Sequence, residues 1–297
     1  MIVPRLVLGT ARIAGGASES QAIDLIRCAL DHGIAQIDTA PSYGLGTAEA
    51  VVGKAIRCRG GVAVATKLGS AQPSLPWLRT MMRRVKRTVA GPGAGAAALP
   101  RALVTSPTGN AFTAAAMEAS LARSLDRLGR IDMLLLHDIS AAELSDHVLS
   151  DLVRLSADAG AKPGYAILAK WNEEFDARFA AGMIAQCALD PRWLLGDRTA
   201  PPARSLRLHS IGKTGLALAA ENASFATGLE KAAMAISGSD RQTAQLAAIY
   251  ALAATRLPDA HLLFTSSHRR RLDALLSAIA AIDAAGTRDE IAALFAG

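Results

Sequence analysis

Four side chains that can move or steer a proton follow short apolar segments in the first half of the sequence. They are Asp38, Tyr43, Lys67 and His137. A tyrosine hydroxyl can protonate the alkoxide formed by hydride addition to a carbonyl group, but a pKa of about 10 makes it a weak acid at neutral pH. A neighbouring ammonium lowers that pKa, a carboxylate holds the ammonium in place, and an imidazole can direct the carbonyl oxygen. Together the four side chains indicate carbonyl reduction or, in reverse, alcohol oxidation.

Each of these residues also has a common structural use. Asp38 could cap the turn after it, where Pro41 excludes a continuing helix. Lys67 could be a solvated lysine, and His137 could be a half-buried histidine with satisfied hydrogen bonds. The catalytic interpretation depends on finding all four in order, three of them where a strand is expected to end.

Strand and helix patterns alternate along the whole chain. Strands are expected at residues 5–10, 33–38, 62–66, 131–136, 164–169, 183–187, 204–208 and 261–265. Helices are expected after a capping box at Ser18 and Gln21, at 48–56, from Thr113 to Leu128, at 143–158, from a cap at Ser239 and Gln242 to Arg256, at 269–282, and after a cap at Thr287 and Glu290. Eight strands alternating with helices predict a (β/α)₈ TIM barrel in one domain spanning residues 1–297. Active sites of such barrels lie at the carboxyl ends of the strands.

Residues 70–112 interrupt this alternation and are expected to form an insertion between strands three and four. Within it, 77–89 has the pattern of a basic amphipathic helix, and 91–98 is a linker of small residues. Gly93-x-Gly95 lacks a preceding strand, so it is not interpreted as a dinucleotide fingerprint. We expect the basic helix to form a rim or lid over the barrel mouth. A membrane-surface or partner-docking element is the alternative.

Composition limits the classes of partner. The formal net charge of +6 over 297 residues suits an anionic ligand, and no basic-aromatic cluster indicates nucleic-acid binding. Three widely spaced cysteines predict reduced thiols in a cytoplasmic protein, and scattered histidines predict no metal site. Neither a signal peptide nor a membrane-spanning run is expected. The expected state is a monomer or a weak homo-oligomer.

Three short motifs resemble those of the aldo-keto reductase family. They are Asp38-Thr39-Ala40-Pro41-Ser42-Tyr43-Gly44, Thr66-Lys67 and Leu134-Leu135-Leu136-His137. The resemblance implies a (β/α)₈ barrel and NAD(P)H-dependent reduction of an aldehyde or ketone, or oxidation of the matching alcohol or sugar. It also implies that Tyr43 is the general acid and base, assisted by Asp38, Lys67 and His137.

The same resemblance implies a set of cofactor-binding residues, with NADP(H) favoured and NAD(H) as the alternative. They are Thr10, Asp38, Gln186, Ser266 and Arg271. Gln186 would bond the nicotinamide carboxamide. Ser266 and Arg271 would hold phosphate at the start of the helix after strand eight. The alternatives are an inward-facing glutamine without a ligand and a charged first turn on an exposed helix.

The chain also departs from the family pattern at several cofactor positions. Lys170 and Trp171 replace a Ser-Asn pair after strand five, and no tyrosine is found near Leu206–Leu208 in strand seven. Thr265 and Leu275 replace a lysine and an asparagine. These departures favour the alternative function, which is a nucleotide-bound regulatory or binding protein on the same fold with little or no turnover.

Overall fold

Eight parallel strands form a closed barrel in which each strand pairs with the next and the eighth pairs with the first. The computed structural model describes residues 1–13, 18–69, 111–199, 201 and 205–295. The strands are β1 (Leu6–Gly9), β2 (Gln36–Asp38), β3 (Ala63–Leu68), β4 (Met133–His137), β5 (Lys162–Lys170), β6 (Ile184–Ala188), β7 (Ser205–His209) and β8 (His261–Phe264). The predicted (β/α)₈ barrel is confirmed, and each predicted strand is present within a few residues of its expected bounds.

Eleven α-helices lie outside the barrel in the part of the chain that the structure describes. They are α1 (Glu19–Asp31), α2 (Ala48–Ile56), α3 (Ala114–Leu128), α4 (Asp146–Asp158), α5 (Glu173–Asp176), α6 (Pro191–Leu195), α7 (Ile211–Glu221), α8 (Ala223–Ala235), α9 (Arg241–Arg256), α10 (Arg269–Ala285) and α11 (Arg288–Ala293). The sequence predicted neither α7 nor α8, because their abundant alanine and glycine weaken the apolar periodicity that marks a helix.

One of the three helix caps predicted from the sequence is present in the structure. Ser18 and Gln21 form the predicted capping box at α1. The predicted helix α9 is present, but its predicted cap at Ser239 and Gln242 was wrong. The cap is Asp240, whose carboxylate accepts hydrogen bonds from the Thr243 amide at 3.1 Å and from the Thr243 hydroxyl at 2.7 Å. Thr287 starts α11 without the predicted side-chain hydrogen bond. An ionised carboxylate accepts such bonds more strongly than a hydroxyl does, which favours Asp240 over Ser239.

Close packing of α2 against α3 holds the outer face of β3. A Cβ atom on Gly53 would lie 2.0 Å from the carbonyl oxygen of Arg127, so only glycine allows this approach. The buried Glu49 carboxylate accepts hydrogen bonds from the Thr66 hydroxyl at 2.7 Å and from Arg127 at 3.0 Å. Thr66 is thereby fixed toward the helices, and the alternation of side chains along the strand turns Lys67 into the barrel.

The barrel interior combines a small apolar cluster with buried polar side chains. The apolar part consists of Ala65, Met133, Leu135, Ala166 and Ile184. A much larger apolar core lies between the strands and the helices. The interior polar groups are therefore held on a scaffold that is packed on its outer side.

Most of the predicted insertion lies outside the described residues. Of residues 70–112, the structure describes only 111 and 112, so the basic helix at 77–89 stays a prediction. Among the described residues, every helix is too short or too polar to span a membrane.

Candidate active site

A buried ion pair forms the base of the site at the carboxyl ends of β2 and β3. The Lys67 ammonium donates hydrogen bonds to Asp38 Oδ1 at 2.7 Å and to the carbonyl oxygen of Thr39 at 2.9 Å. Lys67 is 1% exposed and Asp38 is 2% exposed. The alternative interpretation of Lys67 as a solvated lysine is therefore wrong, and the Asp38 carboxylate holds a cation rather than capping a turn.

Tyr43 and His137 lie together above this pair. Tyr43 starts a short 3₁₀ turn, Tyr43–Leu45, in which Gly44 has a φ of 58°. Its ring meets the imidazole of His137 edge-on, with 5.8 Å between the ring centroids. The Lys67 ammonium lies 4.8 Å from the centroid of the Tyr43 ring. The structure thus brings all four predicted proton-handling side chains into one group.

The protonation states of this group differ from the sequence expectation. Burial raises the pKa of Tyr43 well above 10, and the charges of Asp38 and Asp138 raise it further. This net shift is opposite to the lowering expected from Lys67, whose ammonium hydrogens are directed to Asp38 and Thr39. Burial also lowers the pKa of Lys67 below its ordinary value, although Asp38 opposes this shift.

His137 is neutral over the whole physiological range. Burial lowers its pKa to about 3, the positive charge of Lys67 contributes in the same direction, and Asp38 opposes both. A neutral imidazole carries one N–H group and can donate one hydrogen bond without bringing a second cation into the site. A neutral donor suits the predicted role of His137, which is to orient a carbonyl oxygen by a hydrogen bond.

Asp138 is a structural residue of the site that sequence reasoning did not assign. It adopts a left-handed backbone conformation with a φ of 50°, which aspartate tolerates better than most residues. Its amide donates to the carbonyl oxygen of Ala166 at 2.7 Å, and its carboxylate accepts from the Leu168 amide at 2.8 Å. Asp138 therefore ties the end of β4 to β5 directly after His137.

A cleft of about 220 Å³ lies beside the start of α10, away from this group. The lining residues are Arg12, Gln242, Thr243, Leu246, Phe264, Thr265, Ser266, Ser267, His268, Arg271, Leu272 and Leu275. Both sequence-predicted phosphate residues, Ser266 and Arg271, are among them. The Ser266 hydroxyl donates to the carbonyl oxygen of His268 at 2.9 Å and accepts from its amide at 3.1 Å. Arg12, contributed by the loop after β1, is a second cation that the sequence did not reveal.

The other two predicted cofactor residues are buried and already hydrogen-bonded. Thr10 donates from its amide and its hydroxyl to the carbonyl oxygen of Asp38, at 2.9 Å and 3.1 Å. Gln186 is 3% exposed, and its side-chain oxygen accepts from Arg207 Nε at 3.2 Å. Arg207 is a buried residue of the barrel interior that sequence reasoning missed.

The end of β5 differs from the expected Ser-Asn pair in shape and charge. Lys170 is the last residue of the strand, and the indole of Trp171 lies under Arg198, with 5.2 Å between the guanidinium carbon and the ring centroid. At the end of β7, where no tyrosine was found, His209 supplies an imidazole whose Nε2 donates to the carbonyl oxygen of Ile167 at 2.9 Å.

Three potential metal ligands meet on the outside of the barrel, although the sequence predicted no metal site. Cys28, His32 and Asp273 place their ligand atoms within 4.8 Å of one another. His32 already forms a 2.7 Å hydrogen bond with Asp273, and burial raises the pKa of the Cys28 thiol. The cluster joins α1 to α10 through the hydrogen bond between His32 and Asp273, beside a buried thiol.

Comparison with known sequences agrees with this geometry. The sequence model of the Aldo/keto reductase family matches residues 5–159. The aldo-keto reductase YhdN of Bacillus subtilis (strain 168) is 53% identical over 57 residues, which span 18% of this chain and 17% of that relative's length.

Comparison with solved structures extends over nearly the whole chain. A glycerol dehydrogenase from Gluconobacter oxydans has a TM-score of 0.63 and 19% identity, covering 97% of this chain and 90% of the other. An aldo-keto reductase from Klebsiella pneumoniae, solved in complex with NADPH, has a TM-score of 0.57 and 20% identity, covering 97% and 91%. At such identities the likeness establishes a shared fold.

Proposed function

The chain belongs to the aldo/keto reductase family, and from this premise we propose that it is an NAD(P)H-dependent oxidoreductase that reduces an aldehyde or ketone. In reverse it would oxidise the matching alcohol or sugar. The observation that carries the proposal is the buried pair of Lys67 and Asp38, 2.7 Å apart, directly beneath Tyr43 and His137. A buried ion pair is costly to form, and here it lies where a TIM barrel places its active site.

We assign the proton transfer to Tyr43. Its raised pKa keeps the hydroxyl protonated at neutral pH, which is the form needed to donate a proton during carbonyl reduction. The Lys67 ammonium beside the ring would stabilise the negative charge left after that donation. Asp38 holds the ammonium in place. In the reverse direction the deprotonated tyrosine would accept the proton of the alcohol.

We assign His137 to the carbonyl oxygen. Because its pKa is about 3, the imidazole is neutral and offers one N–H donor beside the Tyr43 ring. A donor that is already in place where negative charge develops stabilises the transition state without having to reorganise during the reaction. His137 would thus orient the carbonyl, and Tyr43 would protonate it.

The cleft beside α10 fits the phosphate end of a nicotinamide cofactor. It combines Arg12 and Arg271 with the Ser266 and Ser267 hydroxyls at the start of a helix, and these groups suit phosphate oxygens. Gln186 and Asp38 would face the nicotinamide end. The cofactor, when bound, supplies the hydride. We propose a preference for NADP(H), which carries an additional 2′-phosphate; the Klebsiella pneumoniae relative was solved with NADPH.

A nucleotide-bound regulatory protein is the second candidate. Leu275 places an apolar side chain in the cleft, and Lys170 with Trp171 occupies the end of β5. These side chains would weaken cofactor contacts and slow turnover. The cytoplasmic location, the monomeric or weakly oligomeric state and the assignment of residues 1–297 to one domain stay predictions under either function.

Oxidation of NADPH in the presence of a panel of aldehydes and ketones separates the two candidates. We expect consumption of NADPH that depends on the carbonyl compound and disappears in the Tyr43→Phe variant. Binding of NADPH in titrations, without its consumption by any carbonyl of the panel, would favour the regulatory protein.

A further inference from the structure

Arg207 lies at the centre of the barrel. It is 1% exposed, and its guanidinium contacts three other strands. Its Nη1 donates to Gln36 Oε1 on β2 at 2.8 Å and approaches the Met133 sulfur on β4 at 3.2 Å, while its Nε donates to Gln186 Oε1 on β6 at 3.2 Å. Arg207 itself lies on β7. Because its side chain reaches β2, β4 and β6 across the interior of a closed barrel, the guanidinium lies near the barrel axis.

Within the part of the chain that the structure describes, no carboxylate forms a hydrogen bond or ion pair with the buried Arg207. Its hydrogen bonds go to neutral atoms, and the Asp38 charge that reaches it is already paired with Lys67. Among the described residues, Arg207 Nη2 and Asp38 Oδ2 are both buried and lack a hydrogen-bond partner. Two buried cations therefore share one carboxylate, which is an expensive arrangement for a residue with no role beyond packing.

The guanidinium determines which end of each neighbouring amide faces it. Arginine carries donors only, so the side-chain oxygens of Gln36 and Gln186 must both point at Arg207. On one side this leaves the Gln36 amide nitrogen to donate to His261 Nδ1 at 3.0 Å. His261 must then be neutral, and its pKa is lowered to about 4 by burial and by the charge of Arg207.

On the other side the same rule leaves the Gln186 amide nitrogen as the end that faces away from the guanidinium. We propose that Arg207 is a positioning residue, which turns Gln186 so that its N–H₂ group is offered to the carboxamide oxygen of a nicotinamide ring. A glutamine without this neighbour could present either its oxygen or its nitrogen. The inference rests on the proposed function and adds a residue that acts through Gln186 rather than by touching the cofactor.

The test compares NADPH with 2′,5′-ADP, which keeps the phosphates and the adenosine but lacks the nicotinamide. Replacing Arg207 with Met removes the charge and the donors at similar length. We expect Arg207→Met to weaken NADPH binding by up to about tenfold, as for the loss of one neutral amide-to-carbonyl hydrogen bond, and to leave the affinity for 2′,5′-ADP unchanged. Arg154→Met on the exposed surface serves as the matched control and should change neither affinity.

A double-mutant cycle tests whether the effect passes through Gln186. Gln186→Leu should cause a similar loss, and the double variant should lose no more than either single variant. Arg207→Lys, which keeps a donor and a charge, should recover part of the affinity and provides a test if Arg207→Met does not fold. Equal weakening of both ligands, additive losses, or an unchanged NADPH affinity would overturn the inference. Failure of the wild type to bind either ligand would instead overturn the proposed cofactor.

Discussion

Two regions at the carboxyl ends of the strands differ in how far their charged side chains are buried, and we name them the buried end and the open end. At the end formed by β2, β3 and β4, the four proton-handling side chains are packed together, and Lys67 is 1% exposed. At the end formed by β8 and α10, Arg12 and Arg271 line an open cleft. Burial strengthens electrostatic interactions and shifts pKa values at the first end, whereas solvent screens the charges at the second.

This difference suggests a division of labour between the two ends. We expect the buried end to carry the chemistry, since hydrogen bonds to Asp38 and Thr39 fix the Lys67 ammonium beside Tyr43. The open end supplies attraction for an anionic ligand at little cost in folding free energy. Substitutions should therefore affect stability and turnover at the first end, but cofactor affinity at the second.

The largest effect is expected when the buried ion pair is broken. Lys67→Met leaves the Asp38 carboxylate buried without its cation, which should lower the free energy of unfolding by about 3–5 kcal/mol. Arg271→Met at the open end should change it by less than about 0.5 kcal/mol. Urea denaturation of both variants checks the contrast, and equal losses would show that the two ends are energetically alike.

A second variant separates stability from activity at the same pair. Combining Lys67→Met with Asp38→Asn removes the unpaired charge, so part of the lost stability should return while turnover stays abolished. Recovery of turnover in the double variant would contradict the role of Lys67 beside Tyr43.

Removal of the Tyr43 hydroxyl should lower kcat by at least ~10²-fold, the usual effect of losing a general acid. The fold and the affinity for NADPH should be unchanged. Tyr250→Phe is the matched control, because this buried hydroxyl donates to the carbonyl oxygen of Leu263 at 3.0 Å, away from the site. Steady-state kinetics on any reduced carbonyl compound provides the measurement, and a Tyr43→Phe enzyme within a few-fold of wild type would defeat the assignment.

Acid should destabilise the buried end through His137. Its folded pKa of about 3 lies below the unfolded value of about 6.5, so its contribution to stability is complete above pH 6.5 and is lost as the pH falls toward 3. The loss should reach about 2 kcal/mol by about pH 5. His137→Gln should flatten this part of the stability curve, whereas His268→Gln in the exposed cleft should not. Thermal unfolding measured across this pH range tests the prediction. Parallel curves of stability against pH for wild type and His137→Gln would refute it.

The smallest effects are expected at the open end. Arg271→Ala should reduce the preference for NADPH over NADH by about tenfold, because one charge-assisted hydrogen bond to the 2′-phosphate is lost. Arg12→Ala should reduce it by less, since Arg12 lies on the loop after β1 rather than at the helix start. Fluorescence titration at low and high salt tests both, and an unchanged cofactor ratio in Arg271→Ala would place the 2′-phosphate elsewhere.

The sequence predicted the strand-end residues because two independent patterns pointed to them. Apolar runs indicated where β2, β3 and β4 end. The three short motifs that contain Asp38, Lys67 and His137 independently resemble those of the aldo/keto reductase family. Arg207 was missed for a physical reason. In Ser205-Leu206-Arg207-Leu208, alternation suggests a solvent-facing arginine between core leucines, but both faces of a barrel strand are buried.

Other features depend on tertiary contacts that no local pattern records. Arg12 joins the cleft from a loop that is far in sequence from α10. The pKa of Tyr43 is raised because packing buries the side chain and brings the charges of Asp38 and Asp138 near it, and no spacing in the sequence records such surroundings.

We expect the buried end to promote hydride transfer to a carbonyl carbon. The most direct test incubates the protein with a carbonyl panel and NADPH that carries deuterium at the transferable position of its nicotinamide ring. Mass spectrometry then locates the label. We expect the wild type to give an alcohol product labelled at the former carbonyl carbon, and Tyr43→Phe to give almost none. Tight binding of the labelled cofactor with no labelled alcohol from any member of the panel would contradict it.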